Sequence, residues 1–392
     1  MMRAGKLMGL AVLGALVASP QAKAQTKLDG SEVKIGVIYT VDGVWGTYGV
    51  EGFRGVDYAA DDLNAKGGVG GVKVKLVKYD NHGNASELPN IVRQLATVDN
   101  VLAIIGPNTS GEAEIVFPIA NQLKVPVLGT SVAKGGLLDK NRPWAFRNVM
   151  PDDLNTAPVI AKVVKDKDIK TVAVVMDVKD AVSKYMGTAF WPPLLDKLGI
   201  KELTRSDPVT FQSGDPSVTA QVTKLKALNP DAVAVVGSPG DAAKVAIEIR
   251  RQGMTQQLLG SGALYGDEFL RSGGKAVEGA ITSAQFWRDD PTPQVRALVE
   301  SFEKRSGHMA ALHEAFAYDA VLTIAKAIET GGATNKAGDL EKDRAKIRDA
   351  LDGIKILGIS GSYAIDAKTG EVIRPFMEAT IKNGQWSVEL LK

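Results

Sequence analysis

Residues able to do chemistry are sparse in this 392-residue chain, and their spacing argues for binding rather than catalysis. There are three histidines and no cysteine. His82 sits in a polar Asp80-Asn81-His82-Gly83 turn, while His308 and His313 stand close together ahead of a helix. None has the His-Glu-x-x-His spacing that holds zinc, and without thiols neither a disulfide nor a thiolate metal site can form. All three histidines are assigned structural or surface roles, and no metal or cofactor is expected. Gly260-Ser261-Gly262 lacks the Gly-x-Ser-x-Gly spacing of a nucleophile elbow. No Gly-x-x-x-x-Gly-Lys-Ser/Thr phosphate loop occurs, and the glycines of 67–71 follow a helix, where they cap it and turn the chain. An exported hydrolase would need a nucleophile and base, and neither stands at motif spacing.

What remains is a set of polar, glycine-rich loops, each following an apolar run. The first, residues 40–49, carries Trp45 and Tyr48 at a helix start, where rings can wall a pocket and free N–H groups can receive an anion. Packing alone would also account for these rings. The second, Gly106-Pro107-Asn108-Thr109-Ser110-Gly111, opens another helix, so that Asn108, the Thr109 and Ser110 hydroxyls and exposed amides can seat a carboxylate, a role compatible with capping. The third, residues 129–136, offers Thr130, Ser131, Val132 and Ala133 across the same crevice, with Lys134 read as a solvated charge.

The elements that must position these loops alternate short β-branched runs with amphipathic stretches, the pattern of parallel sheets with crossover helices. Strands are expected over 33–39, 72–79 and 101–105, with helices over 52–64 and 87–98 between them. A second set starts near Met150, with strands over 171–176 and 232–236 and helices over 156–165, 184–198, 218–228 and 242–252. Helices over 293–306, 315–330 and 339–351 precede an expected terminal hairpin of 361–365 with 376–382, with 386–391 as its third strand. Two doubly wound lobes are the natural reading, and in such sheets ligands bind outside the carboxyl ends of the strands.

Arg3 and Lys6 precede an apolar run over 7–18, and Ala22-Lys23-Ala24 follows: the order of a signal peptide over 1–24, cleaved before Gln25. The run is too short to cross a ~30 Å hydrocarbon core as a helix. Of 47 basic and 45 acidic residues, three basic ones lie in this segment, so the exported chain is near neutral, with no charge excess for nucleic acid.

In their order along the chain, several pieces resemble the periplasmic solute-binding proteins of the branched-chain amino acid (Leu/Ile/Val-binding) type, which serve ABC importers. They are Ile35-Gly36-Val37 leading to Asp42-Gly43, Asn64-Ala65-Lys66-Gly67-Gly68, Asp80, Ile105-Gly106-Pro107 with Ser110, Val125-Pro126, Tyr318-Asp319-Ala320, Gly358 with Ser360-Gly361, and Ile365-Asp366. The resemblance implies an α/β type I periplasmic binding fold: two doubly wound lobes joined by three crossovers that act as a hinge. Lobe one is expected over 31–149 plus 281–356 and lobe two over 150–280 plus 357–392, with crossings near Met150, near 279–284 and near Leu357. It further implies that Ser110 and Val132 hold a ligand carboxylate beside Tyr48, and that lobe two contributes from Asp180, Ser183 and Tyr185, from Ser238 and Asp241, and from Gly262 and Tyr265. The implied partners are a small amino acid or organic carboxylate and a membrane permease; the alternative partner is a membrane receptor that senses occupancy. The family's Ala-Thr pair in the third loop is here Val132-Ala133-Lys134, and its ammonium-pairing glutamate falls near Gly262 and Ala263. An amino acid would need another acid, Asp180 or Asp241; an aromatic or aliphatic acid would need none, and Trp45, Tyr48, Tyr185 and Tyr265 would suit a ring.

Overall fold

The computed structural model describes residues 27–391, so the signal peptide expected over 1–24 lies outside the described residues. The first half runs β1 (Glu32–Tyr39), α1 (Gly46–Ala65), β2 (Lys73–Asp80), α2 (Leu88–Arg93), β3 (Ala103–Ile105), α3 (Ser110–Leu123), β4 (Val127–Gly129) and β5 (Ala145–Arg147). These strands form one parallel sheet in the order β2-β1-β3-β4-β5. Val33, Ile35, Val37, Ile38 and Tyr39 are all fully buried, as a central parallel strand covered on both faces requires. One face packs Val33, Ile35 and Val37 with Val56 and Ala59 of α1; the other packs Ile38 and Ile104 with Val92 of α2 and Val116 of α3.

The second half repeats the plan with α4 (Asp152–Asp166), β6 (Thr171–Asp177), α5 (Ala181–Tyr185), α6 (Trp191–Leu198), β7 (Lys201–Glu202), β8 (Val209–Phe211), α7 (Thr219–Leu228), β9 (Ala232–Val236), α8 (Pro239–Arg251), β10 (Gln257–Leu259), α9 (Asp267–Gly273) and β11 (Ile281–Ala284). Its sheet runs β7-β6-β9-β10-β11, with β8 also on β6. Val159 and Trp191 cover one face, and Val222, Ala242 and Ile249 the other. Both sheets reverse strand order beside their first strand, between β1 and β3 and between β6 and β9, and it is there that open α/β sheets leave a crevice.

The chain then returns to the first lobe as α10 (Pro293–Ser306), α11 (Leu312–Gly331), α12 (Leu340–Leu351) and a small antiparallel sheet of β12 (Lys355–Gly358), β13 (Gly361–Ile365) and β14 (Val372–Ile373). Helices α1 and α11 cross closely because residue 55 is glycine; a side chain there would run into the Glu314 carbonyl. Asp319 of α11 accepts from the amides of Ile359 (2.8 Å) and Ser360 (2.9 Å), which accounts for the Tyr-Asp-Ala and Ser-Gly pieces of the sequence.

The structure corrects the expected tail. Residues 361–365 pair with β12 and β14, not with 376–382; Ile356, Ile359, Tyr363 and Ile365 bury into the core of the first lobe. Strand β15 (Met377–Lys382) instead adds antiparallel to β11, and β16 (Gln385–Leu390) adds to β15. The chain therefore changes sheets between Ile373 and Met377 rather than near Leu357, and β11 belongs to the second sheet, so that crossing follows Ala284. The pairing partner of an apolar strand is decided by which sheet edge it reaches, and periodicity does not record that.

Candidate ligand-binding cleft

The carboxyl-end loops of both sheets face each other around a small cavity of about 60 Å³. From the first lobe come Trp45 and Tyr48, then Asn108, Thr109 and Ser110, then Ser131 and Ala133. The second lobe supplies Asp152, Asp180 and Val182, and Gly262, Ala263 and Tyr265. Val149 and Gln285 at the crossovers and Leu312, His313 and Phe316 of α11 complete the lining.

Ten residues expected at the site line this cavity: Trp45, Tyr48, Asn108, Thr109, Ser110, Ser131, Ala133, Asp180, Gly262 and Tyr265. Six do not, each with another local role. Thr130 donates to the Tyr39 hydroxyl at 3.1 Å, and Val132 is fully buried, its carbonyl taking Arg147 Nη1 at 3.0 Å. The Ser183 amide donates to Asp180 Oδ2 at 2.7 Å, an N-cap of α5. Tyr185 donates to Asp153 Oδ2 at 2.7 Å. Ser238 caps α8 by accepting from the Asp241 amide at 3.3 Å, and Asp241 pairs with Lys244 at 3.1 Å. These loops carry the residue types of a site, yet Ser238 caps a helix and Thr130, Tyr185 and Asp241 are engaged by neighbouring side chains instead.

The seat on the first lobe is held from behind. Asn108 Oδ1 accepts the Thr40 amide at 2.9 Å, locking the first loop to the second. Thr109 Oγ1 caps α3 through the Glu112 amide at 3.3 Å. Ser110 Oγ accepts the Lys134 amide at 3.1 Å, which leaves its own O–H for another acceptor. Buried Arg147 donates to the Lys134 carbonyl at 2.7 Å and pairs with Glu371, so its guanidinium also ties down the third loop.

Three polar lining residues, His313, Asp152 and Gln285, went unrecognised in the sequence. His313, assigned a structural role, instead stacks on Tyr48 with ring centroids 3.4 Å apart, and its Nδ1 lies 2.7 Å from Ser131 Oγ. Burial pushes its pKa down to about 3, so the ring is neutral. Its spacing to Phe316 along α11 was the available signal. Asp152, in the first turn of α4, donates its amide to the Ala133 carbonyl at 2.8 Å, and burial pushes its carboxyl up to about 7, against bonds from Ser261 and Ala263. Gln285 pairs with the backbone of Met150. Asp180, at the opposite wall, is also raised by burial, with the Trp45 side chain acting against the shift.

The other two histidines do not reach the cavity. His308 Nε2 meets buried Glu314 at 3.0 Å, and exposed His82 lies 3.3 Å from Asp42 and 3.2 Å from Asp80. Asp42, Asp80 and His82 are the residues that stand close enough together to share an ion among those described. No described helix is long and apolar enough to cross a membrane.

Tyr48 closes the arrangement, donating across the cleft to the Ala263 carbonyl at 3.4 Å. Beyond the Tyr48–His313 wall lies a larger chamber of about 320 Å³ bordered by Glu51, Asp267, Glu268 and Trp386. Burial pushes the Glu51 carboxyl up to about 7.

Two doubly wound lobes with a cleft of polar loops between them define a binding protein of the two-lobed, hinge-linked class. The chain belongs to the periplasmic binding protein family, whose pattern it matches over residues 32–385. It is 27% identical over 349 residues to the Leu/Ile/Val-binding protein homolog 3 of Brucella melitensis, covering 88% of this chain and 90% of that one. Its fold superposes on the leucine binding protein LivK of Thermotoga maritima with a TM-score of 0.79 at 27% identity, over 92% of this chain and 98% of the other. A solute binding protein of an ABC transporter from Rhodopseudomonas palustris, solved with 3,4-dihydroxy benzoic acid, gives 0.78 at 19% identity, over 92% and 97%.

Proposed function

We propose that this chain is the exported, non-enzymatic solute-binding subunit of an ABC importer, which captures a small amino acid or organic carboxylate between its lobes and presents the closed form to a membrane permease. The observation that carries this reading is the cavity at the facing carboxyl ends of two parallel sheets, bridged by Tyr48 and Ala263. The Ser110 hydroxyl and the amides that open α3 are the proposed carboxylate seat, with Ser131 and His313 beside it. The rings of Trp45, Tyr48, Tyr265, His313 and Phe316 are the proposed wall for an apolar group. Leucine and dihydroxybenzoate, the ligands in the names of two similar proteins, are both of this chemistry.

A thermal-shift screen of residues 25–392 against amino acids, aromatic acids and aliphatic acids tests the reading. Ligand at a hundred times its Kd stabilises by about 2.7 kcal/mol, a shift of a few degrees. The expected result is a shift confined to one chemical class; no shift with any of them, or turnover of a bound compound, contradicts the reading.

A further inference from the structure

We propose that the protein carries a second small-molecule site, at the hinge and separate from the cleft, which takes a short monocarboxylate on the guanidinium of Arg374.

The site is a cavity of about 120 Å³ where the crossovers meet. Its walls come from both lobes: Ser360 and Ser362 from the first, Met377 of β15 and Leu390 of β16 from the second sheet, with Gln285 and Trp287 after β11. Arg374 lines it as well, and this side chain on the third crossover reaches the other two. Its Nη2 donates to the Asn148 carbonyl at 3.0 Å, and its Nη1 to the Gln285 carbonyl.

Arg374 is 7% exposed, yet its Nε has no hydrogen-bond partner among the described residues. Its neighbours are those two carbonyls and the ring faces of Tyr363 at 4.9 Å and Phe316 at 5.6 Å. The buried carboxylate of Asp319, near enough to act on its charge, is already taken by the amides of Ile359 and Ser360. A buried guanidinium with a free donor is completed by an anion, and its planar fork matches a carboxylate.

The rest of the lining sets the size and charge of the occupant. Trp287, Val295, Pro375, Met377 and Leu390 form apolar walls suited to a short chain. Asp290, which accepts the Thr292 amide at 2.7 Å, also borders the cavity, so a dianion would set its second charge against an acid. Gln285 is the residue that this cavity shares with the cleft, so the two sites stand on opposite sides of one side chain.

Calorimetric titration of residues 25–392 with sodium butyrate tests the inference. The proteins compared are the wild type, Arg374→Gln, Ser362→Trp, which fills the cavity from an exposed strand position, and Ser110→Ala in the cleft. Butyrate is expected to bind the wild type and Ser110→Ala alike, with a Kd of about 1 mM or below, and both hinge variants at least about tenfold more weakly. If Arg374→Gln does not fold, Ser362→Trp decides alone. Binding lost in Ser110→Ala but kept in Ser362→Trp would put butyrate in the cleft, overturning this inference while supporting capture. No binding to the wild type, or equal binding to all four proteins, also overturns it and leaves the capture reading standing.

Discussion

Gln285 grips Met150 by both of its backbone polar groups: Oε1 accepts the Met150 amide at 2.6 Å, and Nε2 donates to the Met150 carbonyl at 2.9 Å. The two residues sit where the chain first leaves and next re-enters the first lobe, so one carboxamide couples two crossovers. Arg374, just before the third crossing, donates to the carbonyls of Asn148 (3.0 Å) and Gln285. In the proposed closure, this knot is the pivot. Gln285→Ala leaves both Met150 groups buried without partners and is expected to cost about 1–3 kcal/mol, read as a lower Tm. An unchanged Tm would show that water replaces the carboxamide without loss.

His313 joins the ring wall to the third loop. Its depressed pKa means that the unfolded chain binds the proton more readily. Stability from this group is therefore present above the unfolded value of about 6.5 and is lost as pH falls toward 3. His313→Phe keeps a ring against Tyr48, loses the Ser131 contact, and should flatten that acid limb of a Tm–pH curve. A limb unchanged in the variant would assign the acid sensitivity to other groups.

Asp152 has the opposite sign. Its folded value is raised, so the folded protein holds the proton after the unfolded chain has lost it, and stability falls between pH 4 and 7. Asp152→Asn is expected to match the wild type near pH 4 and to exceed it by a few degrees at pH 8. A variant less stable than the wild type at pH 8 would mean that the ionised carboxylate stabilises the fold.

Gly262 controls access to that carboxylate. Gly262→Ala places a methyl 2.9 Å from Asp152 Oδ1 and 3.3 Å from Asn155 Nδ2, both on α4, while the lobe cores are untouched. Ligand affinity should drop by about tenfold or more with little change in Tm without ligand. Equal loss of both would mean the methyl disrupts the second lobe.

Arg147 and Glu371 hold the third loop from the core side. Glu371→Ala leaves Arg147 buried and unpaired, which typically costs about 3–5 kcal/mol, whereas Glu371→Gln keeps one acceptor and should cost less. Equal effects from the two would argue that charge, not bonding, matters.

Much of the scaffold was legible because burial on both faces leaves continuous apolar runs, as over 101–105 and 232–236, and because helix 293–306 carries Pro293 at its start and Gly307 after its end. The loops were legible as loops, but the direction of each side chain was not. Ser238 caps α8, Asp241 pairs with Lys244, and Thr130 turns to Tyr39. His313 and Asp152 were missed because they enter the cleft from elements far along the chain, by docking of α11 on α1 and by the first turn of α4. An acid beginning a helix reads from sequence as a favourable dipole contact, and only tertiary packing turns it toward a cavity.

The most direct measurement of the central claim is small-angle X-ray scattering of residues 25–392 with and without a ligand verified by calorimetry. Capture between the lobes predicts a more compact liganded particle, with a smaller radius of gyration and a curve that the closed, Tyr48-to-Ala263 bridged form reproduces. Superimposable curves at saturating ligand would contradict hinge closure and the account built on it.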